Sequence, residues 1–298
     1  ASSREDGSLS PAYIEKNLVT PSADVVDEIY DAYRWLRANH PMGIAAPDVF
    51  DTFWVVTKHS DILLISRNNE LFRNALRPAT LTSITDAARA YETTGTPSLV
   101  RSLVDMDEPD HMKYRRLTQL WFLPGNLKKR EDAIRAIARK TVGRMIDTAG
   151  NCDFVGDVAL HYPLEVVMNI LGVPEHDYPR MLRLTQELFG PQDPDIARKA
   201  ANGSDAHGDL LRETIQDFTD YFESISADRR RRPREDLATL IATAEIDAKP
   251  IPPFEATVYY MILAAAGHET TSSSTASAMW GLATVPGLRE KLKSEPSS

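Results

Sequence analysis

Hydrophobic residues recur at intervals of three and four positions along much of the chain, which is the spacing of one face of an α-helix. Two such stripes are clear, and each predicts a helix with one buried side. The first stripe comprises Val25, Val26, Ile29, Tyr30, Tyr33 and Leu36, and the second comprises Ile134, Ile137, Ala138, Val142, Met145 and Ile146. The pattern therefore indicates a protein built mainly from helices.

Further helices are predicted where the same periodicity stops at glycine or proline. One covers residues 158–171 and ends before Gly172, and another covers residues 210–227. An unusually long helix is predicted over residues 252–285, because it is preceded by prolines that suit a first helical turn, where the missing N–H group has no intrahelical partner. A helix of this length would cross a whole domain and could carry functional residues at its centre.

Strand character is concentrated early in the chain, over residues 53–57, where aromatic and β-branched residues follow a stretch punctuated by proline and glycine. The longest run of charge, residues 228–234, is predicted to be a solvated loop or helix end. The sequence therefore predicts a single domain over residues 1–298 that is mainly α with a small β region.

Composition excludes several classes of protein. The chain has 298 residues, of which 42% are hydrophobic, and a formal net charge of −9, so general affinity for nucleic acid or an anionic membrane is not expected. Its one cysteine, Cys152, allows no intrachain disulfide and is compatible with a cytoplasmic location. The most apolar stretch, residues 258–266, is too short to span a bilayer, so no membrane anchor is expected.

The centre of the long predicted helix combines small residues, a carboxylate and hydroxyl groups. Ala266 and Thr270 share one face because they are four residues apart, and Gly267 lies beside them. Thr270 is expected to donate its hydroxyl hydrogen to the carbonyl of Ala266, and Glu269 adds an acid within reach of the same water. The alternative is a plain helix contact made by small residues, with Glu269 facing solvent.

Two other interpretations concern single residues. His268 and Glu269 begin a zinc-protease motif, but the second histidine of that motif would fall at Ser272, so this interpretation is discarded. Cys152 has none of the neighbouring glycines that let backbone N–H groups surround a thiolate. It is therefore expected to be a small buried hydrophobic residue.

A second motif lies at residues 107–116, where acidic residues and a proline begin a predicted helix. His111 and Arg115 are four residues apart, so both project from one face of it and could hold a carboxylate or phosphate group. A histidine and an arginine on a charged helix are also compatible with ordinary solvated surface.

Taken together, these two motifs resemble the cytochrome P-450 family. Residues 266–271, Ala-Gly-His-Glu-Thr-Thr, resemble its oxygen-side helix, and the Asp-x-Pro-x-His-x-x-x-Arg pattern of residues 107–115 resembles its helix over the haem propionates. The similarity continues through scaffold segments along nearly the whole chain. It implies a cytochrome P-450 fold and a haem b cofactor.

The resemblance also implies a role for each residue. Glu269 and Thr270 would be the acid and alcohol that deliver protons to dioxygen, and His111 and Arg115 would hold the haem propionates. Ala266 and Gly267 would leave room for the haem plane because they are small.

The activity implied is that of a monooxygenase, which inserts one oxygen atom of O2 into an apolar small molecule by hydroxylation or epoxidation. Electrons would come ultimately from NAD(P)H through a ferredoxin or a reductase. A basic patch could dock that donor or could be a solvated helix face; it comprises Lys113, Arg116, Lys128, Lys129 and Arg130. Residues 74–104 and 182–211 correspond by position to variable substrate-facing loops of the family.

The family pattern continues with a Glu-x-x-Arg helix and a glycine-rich loop around the cysteine that binds haem iron. The sequence reaches Ser298 without either motif. The expectation is a C-terminally truncated P-450 whose fold is incomplete at that end and which is inactive alone, with no metal ligand of its own. The alternative is a non-catalytic remnant or interaction module that binds no haem.

Overall fold

A computed structural model describes residues 26–78, 80–190 and 207–295 of the chain. It is 67% helical and contains only small sheets, so the prediction of a mainly α protein with little β structure is confirmed. Contacts between Cα atoms group the chain into two compact units, residues 1–108 and 109–298. The single-domain organisation stays a prediction.

The first unit combines helices with one antiparallel hairpin, in which Ile44 lies opposite Trp54. The predicted strand is therefore confirmed. Leu36 and Ala45 are fully buried at the core of the unit. In chain order its elements are α1 (Val26–Asn39), β1 (Met42–Ala45), β2 (Phe53–Val56), α2 (His59–Arg67), α3 (Ile84–Thr94) and a 3-10 turn (Leu103–Asp105).

The hydrophobic stripe predicted on α1 is narrower than expected. Leu36 is buried and Tyr33 is half-buried, but Tyr30 is 62% exposed. Successive residues of an α-helix are about 100° apart, so Tyr30 points away from the side of Ile29. Leu36, seven residues after Ile29, points to the same side as Ile29. Val25 and the side chain of Val26 lie outside the described part of the chain.

The second unit is built around one long helix, α11, which packs against the π-helix and against α7, α8, α9 and α10. Its elements are α4 (Asp110–Gln119), α5 (Pro124–Lys128), α6 (Glu131–Asp147), the π-helix (Phe154–Ala159), α7 (His161–Leu171), a 3-10 turn (Glu175–Asp177), α8 (Tyr178–Phe189), α9 (His207–Arg231), α10 (Leu237–Ala242), β3 (Glu245–Ile246), β4 (Lys249–Pro250), α11 (Pro253–Thr284) and α12 (Leu288–Ser294).

Helix α11 has the length predicted for it, 32 residues, and its first half is deeply buried. The ring of Tyr260 stacks on Phe222 of α9 at a centroid distance of 4.6 Å, and its hydroxyl donates to the carbonyl of Ala238 on α10 at 2.8 Å. Burial raises the pKa of Tyr260 to about 12, so the hydroxyl stays protonated as a donor. One side chain thus fixes α11 to two other helices.

The helix predicted over residues 158–171 forms in two parts, the π-helix and α7, and it ends at Gly172 as predicted. Among the described residues, the stretch Phe154–Leu171 alone is long and apolar enough to cross a membrane. This is weak evidence, because the same stretch buries Leu164 and Met168 against neighbouring helices, as the core helix of a globular protein does.

The stripe predicted on α6 is not fully buried, because Val142 is 52% and Ile146 is 72% exposed. Both border an open, mainly apolar groove of about 760 Å³ that also involves α7 and α11. Phe154 and Met279 line its other sides. The periodicity therefore correctly predicted that α6 is a helix. Among the described residues, however, no element covers the apolar face of this helix.

The placement of all strand structure early in the chain was wrong, because β3 and β4 form a second hairpin. Its turn residues Asp247 and Ala248 have φ values of 51° and 60°, in the left-handed region. Asn-Gly or Asp-Gly is the usual signal for such a turn, and alanine is not. The Asp247 carboxylate accepts from Lys113 Nζ at 2.6 Å, a contact that ties the turn to α4.

The charge run was expected to be solvated, but Arg229 within it is only 2% exposed. Its guanidinium group donates to the Asp236 carboxylate at 2.7 Å, to Asp228 at 2.7 Å and to the carbonyl of Gly172 at 2.6 Å. Gly172 has φ +80°, and a Cβ atom there would lie 2.2 Å from Asp236 Oδ2. Arg229 therefore joins the end of α9 to the end of α7.

We expect Arg229→Met to lower the free energy of unfolding by about 3–5 kcal/mol, because it leaves the buried Asp236 carboxylate without its cation and removes the donor to the carbonyl of Gly172. Arg231→Met is the control, since Arg231 is exposed on the same helix, and it should change that free energy by less than about 0.5 kcal/mol. Urea unfolding measures both. Equal, small losses in the two variants would contradict the structural role given to Arg229.

Candidate functional site

The middle of α11 has two different faces. Ala264, His268 and Ser272, spaced by four residues, are buried against other helices. Ala266 and Thr270, also four residues apart, are exposed on another side. The predicted face without side-chain bulk is therefore present, and among the described residues no element covers it.

The hydroxyl of Thr270 donates to the carbonyl of Ala266 at 2.7 Å, as the sequence predicts. Ser274 repeats the arrangement one turn later, where its hydroxyl donates to the carbonyl of Thr270 at 2.8 Å. The Thr270 oxygen keeps lone pairs that can accept another hydrogen bond from the open side. This face therefore offers a hydroxyl group on an otherwise flat surface.

Gly267 has a different explanation from the one predicted. A Cβ atom at this position would lie 2.6 Å from Cγ2 of Val167, so the missing side chain lets α11 approach α7. A flat ligand pressing on the backbone is not needed to explain this glycine. Its assignment to the cofactor face stays a prediction that depends on the family resemblance alone.

The Glu269 side chain is 30% exposed, so it is partly buried and partly open to solvent. Its Oε1 atom is buried and makes no hydrogen bond within the described residues. The nearest basic atom is Nδ1 of His268, at 3.4 Å. Glu269 thus combines a buried oxygen that lacks a donor with a partly exposed side chain.

His268 was given no role by the sequence, and the structure buries it completely. Its Nε2 lies 2.9 Å from the carbonyl of Leu160, at the start of α7, and its Nδ1 lies 3.0 Å from Oγ1 of Thr185 on α8. A carbonyl only accepts, so Nε2 carries a hydrogen. Burial lowers the pKa of His268, and the negative charge of Glu269 partly opposes that effect. The four-residue spacing from Ala264 was the missed signal.

The other predicted residues lie on α4, where His111 is half-buried and Arg115 is exposed. Buried hydrogen bonds attach this helix to α11. Thr118 and Tyr259 join their hydroxyl groups at 2.8 Å, and the Tyr259 hydroxyl donates to the carbonyl of Tyr114 at 3.1 Å. Burial raises the pKa of Tyr259, and the nearby positive charge of Arg115 partly opposes this effect.

Tyr259 also locates the bare face of α11, formed by Ala266 and Thr270, relative to Arg115. Ala266 and Thr270 follow Tyr259 by seven and eleven residues, so all three lie within about 20° of one line along the helix. Ala266 is about 10 Å further along that line. Helix α4, which carries Arg115, therefore contacts α11 at Tyr259, at one end of the line that continues to the bare face formed by Ala266 and Thr270.

These residues suit one side of a haem group. The bare face at Ala266 and Thr270 accepts a flat ligand, and the Arg115 guanidinium, which has no hydrogen-bond partner among the described residues, suits a carboxylate at the ligand's edge. No cluster of three metal-binding side chains occurs in the described residues. Cys152, predicted to be a small buried hydrophobic residue, is half-buried in the loop before the π-helix, so it is less buried than expected.

No family model matches the chain, but comparisons with individual proteins are informative. The chain is 40% identical over 291 residues to cytochrome P450-terp of a Pseudomonas species, covering 96% of this chain and 68% of that protein. It is 28% identical over 244 residues to steroid C26-monooxygenase of Mycolicibacterium smegmatis, covering 82% of this chain and 53% of that protein.

Solved structures agree with these relatives. CYP108D1 of Novosphingobium aromaticivorans matches with a TM-score of 0.79 and 38% identity, over 91% of this chain and 63% of its own. Cytochrome P450 CYP268A2 of Mycobacterium marinum, in complex with pseudoionone, matches with a TM-score of 0.81 and 26% identity, over 99% and 68%. Fold and site thus define a cytochrome P450 scaffold.

The chain belongs to the cytochrome P450 family, which confirms the resemblance found in the sequence. It spans between about half and two thirds of the length of these relatives. The roles that the motifs give to individual residues stay predictions.

Proposed function

We propose that the protein to which this chain belongs is a haem-dependent monooxygenase that inserts one oxygen atom of O2 into an apolar small molecule. The observation that carries the proposal is the bare face of α11, where Thr270 presents a hydroxyl group. The adjacent residue, Glu269, has a buried carboxyl oxygen that accepts no hydrogen bond among the described residues. Relatives named as monooxygenases support it. They also disfavour the alternative of a non-catalytic module.

Haem b, when bound, supplies the redox chemistry of dioxygen, and the protein supplies binding, orientation and protons. Arg115 and His111 would hold the propionate groups, because they project from one face of α4 and Arg115 is exposed. Ala266 would lie against the macrocycle, since its methyl group leaves the helix backbone accessible. Gly267 would contribute by letting α11 seat closely on α7.

Thr270 and Glu269 would handle protons beside the small-molecule site. The Thr270 hydroxyl donates to the helix in this structure, and rotation about its C–O bond would redirect the hydrogen to the open side. Glu269 can hold a proton on its carboxyl group and pass it to a water or hydroxyl on that side. Both groups are needed because the alcohol orients the hydrogen bond and the acid supplies the proton.

Electrons would come from NAD(P)H through a ferredoxin or reductase, in a cytoplasmic setting. Of the basic patch predicted to dock that donor, Lys113 pairs with Asp247 and Arg130 donates to the carbonyl of Glu235. Arg116, Lys128 and Lys129 are exposed and would form the remaining docking surface. The complex of a relative with pseudoionone supports a small-molecule substrate.

Haem binding tests the proposal directly. The complete protein from the parent gene and the 298-residue chain are each loaded with haem, reduced and exposed to carbon monoxide. We expect the difference spectrum of a thiolate-ligated haem from the complete protein only, because Cys152 lacks the surroundings of an iron ligand. Absence of bound haem in both preparations would overturn the enzyme assignment.

Arg115→Gln should lower haem retention about tenfold in the complete protein, because a propionate would lose a charge-assisted hydrogen bond. Arg116→Gln is the matched control, since its side chain is exposed one residue away on another face of α4. Haem content after dialysis against apomyoglobin measures both. Equal retention by the two variants would remove Arg115 from the haem site.

Thr270→Ala should leave haem content intact and reduce product formed per reductant consumed by about tenfold or more, because the open face loses its hydroxyl. Thr270→Ser keeps a hydroxyl able to donate to Ala266 and should restore most of the yield. Parallel assays of NAD(P)H consumption and product give the ratio. If Thr270→Ala has the wild-type ratio, Thr270 has no part in proton delivery.

A further inference from the structure

His268 makes contacts that its position in a helical core does not require. A hydrophobic residue of similar size would fill the same space without the cost of burying two polar ring atoms. Instead the ring connects three elements, because Nε2 contacts the carbonyl of Leu160 and Nδ1 contacts Oγ1 of Thr185. The bonds to α7 and α8 hold the plane of the ring in a fixed orientation.

That orientation directs Nδ1 to Thr185 and also brings it close to the carboxyl group of the next residue, without the alignment of a hydrogen bond. Glu269 Oε1, the buried oxygen without a hydrogen-bond donor, lies 3.4 Å from Nδ1. With Nε2 already carrying a hydrogen, a neutral ring accepts at Nδ1 from a protonated carboxyl group, and a protonated ring donates there to a carboxylate. In either state, a small rotation of the Glu269 side chain would place one proton between the ring and the carboxyl group.

Thr185 determines whether Nδ1 is available for that contact. Its hydroxyl has one hydrogen, yet Oγ1 lies 3.0 Å from each of the carbonyl oxygens of Met181 and Leu182 and 3.0 Å from Nδ1. When the hydrogen points along α8, Nδ1 is left to Glu269. When it points to Nδ1, the single in-plane lone pair of that nitrogen is occupied, and the ring can neither donate to the carboxyl group nor accept from it there.

We propose that His268 is a positioning residue for Glu269, holding Oε1 through Nδ1, and that Thr185 links this carboxyl position to α8. The inference rests on the proposed role of Glu269 in proton delivery. Because Thr185 lies in the region predicted to face substrate, the bridge connects that region with the proton-handling pair. His161 also acts on the ring, because it adds to the effect of burial, which lowers the pKa of His268.

Two substitutions separate the two ring nitrogens. His268→Gln places its amide near the former Nε2 and can still donate to Leu160, whereas His268→Asn places its amide near the former Nδ1 and can still reach Glu269. In the haem-loaded complete protein, we expect His268→Gln to lower product per reductant about fivefold and His268→Asn to retain most of it. Carbon monoxide spectra and melting temperatures report haem binding and folding. Equal losses in the two variants would overturn the proposal.

A double-mutant cycle distinguishes positioning from a general structural role. If His268 acts through Glu269, His268→Gln should cause no further loss in a Glu269→Gln background. A loss that persists there would overturn the inference. If Glu269→Gln alone keeps the wild-type yield, the proposed role of Glu269 fails as well. If Glu269→Gln lowers the product formed per reductant but His268→Gln does not, only the role of His268 is rejected.

The contribution of α8 is tested without changing the ring. Thr185→Val keeps the shape of the side chain but removes its hydroxyl, so we expect about a twofold loss of product per reductant that disappears in the Glu269→Gln background. Thr185→Ser keeps the hydroxyl and should behave as wild type. A Thr185→Val loss that is unchanged by Glu269→Gln would show that Thr185 acts independently of the carboxyl group.

Discussion

The close approach of α11 to α7 at Gly267 determines how the rest of the site is arranged. A side chain there would collide with Val167, so the contact fixes the rotation of α11 about its own axis. With that rotation fixed, His268 points into the protein and Ala266 and Thr270 face the open side. A mid-helix glycine costs about 1 kcal/mol relative to alanine, which the packing on α7 offsets.

Position along the axis is fixed separately, by hydroxyl groups at the buried end of the helix. Tyr259 bonds to Thr118 and to the backbone of α4, and Tyr260 bonds to α10. Burial raises the pKa of both phenols, so they remain donors over the physiological pH range. A sliding movement of α11 would break these bonds together. The distance between the α4 cation Arg115 and the bare face therefore depends on two buried tyrosines.

Among the described residues, sequence periodicity predicted the four longest helices, because each buries one side. It failed where burial depends on partners remote in sequence. Val142 and Ile146 have the spacing of a buried stripe, yet they face an open groove. Arg229 belongs to a charge run, yet its partners Asp236 and Gly172 O enclose it. The second hairpin was missed because Asp247 and Ala248 do not carry the usual turn signal.

The open side of the site was predictable and the buried side was not, for one physical reason. The bond from Thr270 to Ala266 spans four residues of a single helix, so spacing alone determines it. The partners of His268 come from α7 and α8, more than eighty residues away in the chain, and only the folded structure brings them together. The buried stripe of α11 includes position 268, but the stripe alone could not distinguish an inert core residue from a polar bridge. The polar bridge made by His268 lies on the buried side of Glu269, whereas Thr270 remains on the bare face. The two residues proposed to handle protons are therefore supported from different sides of the helix.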